Sequence, residues 1–116
     1  MPVKTFTRTT EGAYDVLSEV MSVTIDVAGK YLILASGSSY NTTGNGTIEL
    51  YLYKNNVNPD GYIYRDGGST SSRYIFGIHI LMDLDKNDKI SLYAQPVDGG
   101  RATIRAGATI TAIRVG

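Results

Sequence analysis

A chain of 116 residues is long enough for one domain with a real core and too short to divide into two that each fold alone. Eleven basic residues balance eleven acidic ones, so there is no net field to gather nucleic acid or an anionic membrane, and neither is expected as a partner. Cysteine is absent, which excludes disulfides, thiolate metal sites and cysteine nucleophiles together and leaves stability to packing.

No apolar run approaches the roughly 20 residues that cross a bilayer as a helix, and the opening Met1-Pro2-Val3-Lys4-Thr5-Phe6 lacks the apolar core of a secretion signal. A soluble protein made without export is expected. Residues 1–12 are polar, threonine-rich and mildly basic, with Val3 and Phe6 as the only apolar anchors. They predict an N-terminal arm ahead of a domain at residues 13–116, with Val3, Lys4, Phe6 and Arg8 available to dock on a neighbour. From Val20 the pattern changes. Met21, Val23, Ile25 and Val27 alternate with Ser22, Thr24 and Asp26, as in a strand with one dry and one wet face. A turn at Ala28-Gly29-Lys30 leads to residues 31–35, YLILA, apolar on both sides and suited to the middle of a sheet.

Residues 37–46 are a loop by composition, and Ile48, Leu50 and Leu52 then form a core-facing set with Glu49, Tyr51 and Tyr53 on the other face. Residues 54–73 are the longest irregular segment, with a turn at Asn58-Pro59-Asp60-Gly61 and a short strand around Ile63. The chain is organised around residues 74–95, which read as two strands and a tight turn. Phe76, Ile78, Ile80, Met82 and Leu84 share one side of an extended chain, and Ile90, Leu92 and Ala94 continue that period beyond Lys86-Asn87-Asp88. After a turn through Asp98-Gly99-Gly100, two last β-prone runs, residues 102–105 and 108–115, flank Gly107. About eight strands at short spacing predict an all-β, single-domain antiparallel sandwich or jelly roll.

Several outer faces do not suit an isolated sandwich. Tyr31, Ile33, Tyr51, Tyr53, Ile75, Leu81, Tyr93, Ile113 and Val115 are assigned to the side opposite the core set of their own strands. Tyrosine covers apolar area while keeping a hydroxyl to bond, which suits protein interfaces, so these nine residues are the predicted self-association surface.

Gly29-Lys30-Tyr31-Leu32-Ile33-Leu34 resembles the Gly-x-Tyr-hydrophobic strand of the tumour necrosis factor and complement globular-head jelly roll. Residues 48–56, IELYLYKNN, are similar to that superfamily's strand ending in a Lys-Asn-Gly turn. Residues 84–92, LDKNDKISL, resemble its Leu-x-x-Gly-Asp-x-hydrophobic-x-Leu segment, with Asn87 in the glycine place, where asparagine tolerates a left-handed angle. Residues 109–115 stand where the family has its closing strand, without the aromatic-Gly ending. The resemblance covers roughly residues 20–115 and implies a threefold homotrimer packed through the sheet that holds the closing strand. Within the superfamily it points to small bacteriophage virion proteins, either capsid decoration proteins or receptor-binding heads.

No catalytic signature is found. The lone His79 rules out a histidine cluster, no nucleophile elbow occurs, and a glycan hydrolase built on Asp83 and Asp85 is the least favoured reading. Asp83-x-Asp85-x-Asn87-Asp88 has the opening of a calcium loop, but Asp88 replaces the required glycine and Ala94 the final carboxylate, so neither a metal nor any other cofactor is expected. Tyr40, Asn41, Tyr62, Tyr64, Arg65, Asp66 and Arg73 have the chemistry of a saccharide site: rings to stack on sugars and planar polar groups for hydroxyls. The leading expectation is a non-enzymatic homotrimer on the outside of a bacteriophage capsid or similar shell, made in the host cytoplasm, with itself and a capsid or other virion protein as partners. The alternative is a receptor-binding head that recognises cell-surface saccharide.

Overall fold

The computed structural model describes residues 3–42, 46–57, 63–66, 74–97 and 99–116, with the backbone alone at 63–66 and 74. Ten strands are found among them: β1 (Val3–Thr7), β2 (Gly12–Tyr14), β3 (Ser18–Thr24), β4 (Gly29–Asn41), β5 (Thr47–Lys54), β6 (Ile63–Asp66), β7 (Tyr74–Leu84), β8 (Lys89–Val97), β9 (Ala102–Ile104) and β10 (Thr109–Arg114). They form two antiparallel sheets. In the first, β4 is central, with β7 along one edge; β10 and then β9 lie along the other, and β1 and β2 pair outside them. The second runs β3-β8-β5-β6.

The core is the space between the sheets. Ile33, Ala35, Phe76, Ile104, Ile110 and Ala112 enter from the first sheet and Met21, Val23, Ile48, Leu50, Leu52, Ile90, Leu92 and Ala94 from the second, all buried. Period-two alternation therefore located the interior on β3, β5, β7 and β8. Ile78, Ile80 and Met82, partly buried, pack against it.

Residues 74–95 differ from expectation in one respect. β7 pairs with β4, whereas β8 lies between β3 and β5, so the two strands do not form a hairpin. Their apolar sides face one core from opposite layers, and the turn between them changes sheets. β4 also runs on to Asn41 through a segment expected to be loop. Gly37 is a small residue in a strand, not a turn: a Cβ there would meet the Ala108 Cβ at 2.7 Å and the Phe76 ring at 3.0 Å. Ser39 and Asn41 are buried, and the Asn41 amide donates to the carbonyls of Thr47 at 2.9 Å and Gly99 at 3.1 Å.

The segment expected to stand off as an arm is, over Val3–Thr7, the edge strand β1, paired residue for residue with β10. All five of its residues are exposed. Arg8 fixes its end. The Arg8 N–H donates to Ala108 O at 2.8 Å and its guanidinium to Val20 O at 2.8 Å and to the Tyr14 hydroxyl. Val20 is the extra residue of a bulge that bends β3 between Glu19 and Met21.

Two turns at one end of the sandwich lock together through asparagine. Lys54 and Val57 exchange backbone hydrogen bonds across Asn55 (φ 52°) and Asn56 (φ 66°), a type I′ turn. Asn55 reaches the neighbouring turn, its amide donating to Asp88 Oδ1 at 2.9 Å while its oxygen accepts from Lys89 N at 2.8 Å. In that turn Asn87 has φ 73°, the left-handed angle expected of it. Asn87→Ala should cost about 1 kcal/mol in urea unfolding and Asn87→Gly less than half of that, because only a Cβ without a short polar side chain is penalised there. Equal losses for both variants would contradict the strain argument.

Candidate self-association surface

The outer face of the first sheet is built by register. Residues opposite one another in an antiparallel sheet share a face. Val3, Ile113, Leu32 and Leu81 therefore form one line across β1, β10, β4 and β7, and Thr5, Thr111, Leu34 and His79 form the next. A third line, Thr7, Thr109, Ser36 and Gly77, is small and polar, and Ser38 faces Ile75 beyond it. At the opposite end Lys30 stands across from Asp83. Ile75 is 85% exposed, Leu81 59%, Val3 58% and Val115, just past β10, 46%. Leu32, Leu34 and Ile113 are half-buried beside them. Single exposed apolar residues are ordinary, but an apolar line across four strands is a contiguous patch of the kind that marks an association site.

The nine residues assigned to self-association separate into three places. Ile75, Leu81, Ile113 and Val115 lie on this face. Tyr31 and Ile33 do not: they are core residues at 4% and 0% exposure, and the Tyr31 hydroxyl donates to Val27 O at 2.5 Å. The phase of β4 is the reverse of that expected, and Leu32 and Leu34 are the outward pair. Five consecutive apolar residues carry no phase of their own. Lys30 and Ser36, in step with Leu32 and Leu34, are the signal that assigns it, since an unpaired ammonium does not face a dry core.

Tyr51, Tyr53 and Tyr93 lie on the outer face of the second sheet, on the other side of the molecule. Tyr53 and Tyr93 stack with centroids 4.1 Å apart, and Tyr51 meets Tyr53 edge-on at 6.2 Å. The Tyr51 hydroxyl donates to Glu49 Oε1 at 3.0 Å, and the Gln95 amide donates to Glu49 Oε1 at 2.8 Å and to the Tyr51 oxygen at 3.1 Å. Burial, helped by the Glu49 carboxylate, pushes the Tyr51 phenol above its ordinary value. These tyrosines find ring and hydroxyl partners within their own chain.

Beside them Lys89 pairs with Glu19 at 2.6 Å, and the Ser91 hydroxyl donates to the same carboxylate oxygen at 3.0 Å. The Lys89 contact, then Ser91, holds the Glu19 carboxyl below its ordinary value. At the turn the Asn55 amide, then the Asp85 N–H at 2.7 Å, does the same for Asp88. Both Asp88 oxygens are thus taken by turn contacts, and among the described residues no three histidine, cysteine or acidic side chains gather as a metal site would need. A carboxyl whose folded value is lowered stabilises the protein above its unfolded value and loses that contribution as pH falls through the folded one. Asp88→Asn should therefore flatten the fall in urea midpoint between about pH 5 and pH 3; an unchanged acid slope would contradict this assignment.

The residues of the expected saccharide set that are described fall on both sheets. Tyr62 and Arg73 lie outside the described residues, while Tyr64, Arg65 and Asp66 are placed by backbone in β6 of the second sheet. Tyr40, whose hydroxyl donates to Glu11 at 3.4 Å, belongs to the first sheet, and Asn41 is a buried structural link. Of the arm residues, Val3 lies on the apolar face, Lys4 pairs with Asp26 at 2.9 Å, Phe6 is 44% exposed opposite Ile110, and Arg8 is the anchor described above. Val3, Lys4, Ile25, Asp26, Val27 and Tyr31 line a cleft of about 50 Å³, room for little more than a water.

This arrangement of a six-stranded sheet on a four-stranded one, with the closing strand β10 between β1 and β4, is a tumour necrosis factor-like jelly-roll sandwich. No protein-family model and no curated protein matches the sequence. Among solved structures, the Eiger TNF of S. frugiperda is similar over 98% of this chain and 92% of that chain, with a TM-score of 0.70 at 11% identity. The infectious bursal disease virus Gx strain gives a TM-score of 0.69 at 13% identity, and the VP2 subviral particle of infectious bursal disease virus 0.68 at 12%. The chain spans 32% of each of those two viral chains. At such identities the likeness is one of fold.

Proposed function

We propose that the chain is a non-enzymatic structural protein of a virion, a homotrimer that adds to the outside of a bacteriophage capsid or similar shell. The observation that carries this reading is the uncovered apolar face of the first sheet, which contains the closing strand. Its occupant is a second copy of the same chain. In a threefold ring the contact is heterologous, so one edge of this face meets a different part of the neighbour's surface, and copies of zero net charge do not repel one another. With principal extents of 43 × 26 × 17 Å, the broad side of the sandwich is large enough for the roughly 800 Å² per partner of a standard interface. Viral capsid domains among the fold neighbours support the shell, and the Lys4 and Phe6 side of the edge strand β1, away from the face that copies cover, is what docks there.

Purified protein incubated with undecorated shells and, separately, with host cell-wall glycan should sediment with the shells. Sedimentation with glycan alone would overturn the shell reading and support a receptor-binding head. The tyrosine face gives that second reading its foothold, since rings held rigidly beside a carboxylate and an amide suit a sugar surface.

A further inference from the structure

His79 is the only histidine and stands inside the apolar face. Its line across the sheet is Thr5, Thr111 and Leu34, and its same-face neighbours along β7 are Gly77 and Leu81. None of these titrates. β1 adds Val3 and Thr7, β10 adds Thr109 and Ile113, and β4 adds Leu32, Ser36 and Ser38, again without charge. Among the described residues the charged groups on this face are Lys30 on β4 and Asp83 on β7, opposite each other, and Asp83 is four residues, about 13 Å, along the strand from His79. Uptake of a proton at His79 therefore creates a cation with no carboxylate beside it on its own face.

We infer that self-association through this face is proton-sensitive and that His79 is the sensor. This rests on the self-association reading above. A neutral imidazole can be covered by a second copy, since it carries one donor and one acceptor for threonine hydroxyls or water. An imidazolium must be stripped of water among leucine and isoleucine, which opposes the contact. Histidine is the side chain whose charge changes between pH 8 and pH 5. Each copy brings one such group, so a homotrimer multiplies the effect three times: on the order of tenfold per protomer and a thousandfold in the trimer constant between pH 7.5 and pH 5.5.

The test is sedimentation equilibrium of the full chain and of His79→Gln at pH 7.5 and pH 5.5, with circular dichroism at both values to follow the fold. Each protein is compared with itself, so the ratio of association constants is the readout. The expected result is a fall of about a thousandfold for the natural chain and less than about threefold for His79→Gln. A natural chain equally associated at both values, one that tightens on acidification, or an equal fall or an equal loss of β signal in both proteins overturns the inference and leaves the self-association reading intact. Monomers of the natural chain at both values overturn that reading instead.

Discussion

Leu32→Asp combined with Leu81→Asp should convert the proposed homotrimer into folded monomers. Leu32 and Leu81 are register partners at the centre of the apolar line, and each aspartate would have to lose its water against a neighbouring copy with no cation in that line. The trimer constant should fall by more than about a thousandfold, since two buried charges per protomer cost several kcal/mol. In the separate chain both positions face outward, so circular dichroism should be unchanged. Tyr51→Ser with Tyr53→Ser is the matched control: it removes comparable aromatic area from the opposite face and should leave the mass as it was. A double aspartate variant of unchanged mass, or a serine variant that dissociates, would move the interface to the tyrosine side.

Leu92→Ala should be among the damaging truncations of the core. Leu92 is fully buried in β8, between Met21 of β3 and Leu52 of β5. The cavity left between two sheets that are pinned by their ladders should cost about 3–4 kcal/mol. For a domain of this size that is a Tm lower by about 12–16 °C. The comparison is Leu81→Ala, which removes the same atoms from an exposed site and should cost less than about 0.5 kcal/mol. Both are best measured in the Leu32→Asp background, where position 81 keeps its leucine, so that unfolding is less coupled to dissociation. Similar losses at the two positions would mean that inside and outside have been exchanged.

Much of the fold was legible because its strands alternate. Phe76 to Leu84, Ile48 to Leu52 and Ile90 to Ala94 each reveal their buried side by period two, and Asn87 announces a left-handed turn. What the sequence hid follows from where that signal fails. Residues 31–35 are apolar at every position, so Tyr31 and Ile33 were placed outside when they lie inside. Gly37, Ser39 and Asn41 look like loop because small polar residues do, yet close packing against Ala108 and Phe76 demands a small residue in a strand. β2 is three residues long and carries no period at all. The outer apolar face is a property of register across β1, β10, β4 and β7, and no single strand displays it. Two of the tyrosines' partners, Gln95 and Asn56, are distant in sequence, and Glu49, two residues from Tyr51 on the same strand, reads as an ordinary outward carboxylate until the structure shows the hydroxyl bonded to it.

Everything functional in this account depends on the first sheet's outer face being covered by copies of the same chain. Light scattering on the natural chain across about 1 to 100 µM at pH 7.5, at or above the Kd of standard-size interfaces, measures that directly. A mass near three times the 12.6 kDa of one chain is expected. A mass of one chain throughout that range, with a folded β spectrum, would contradict it.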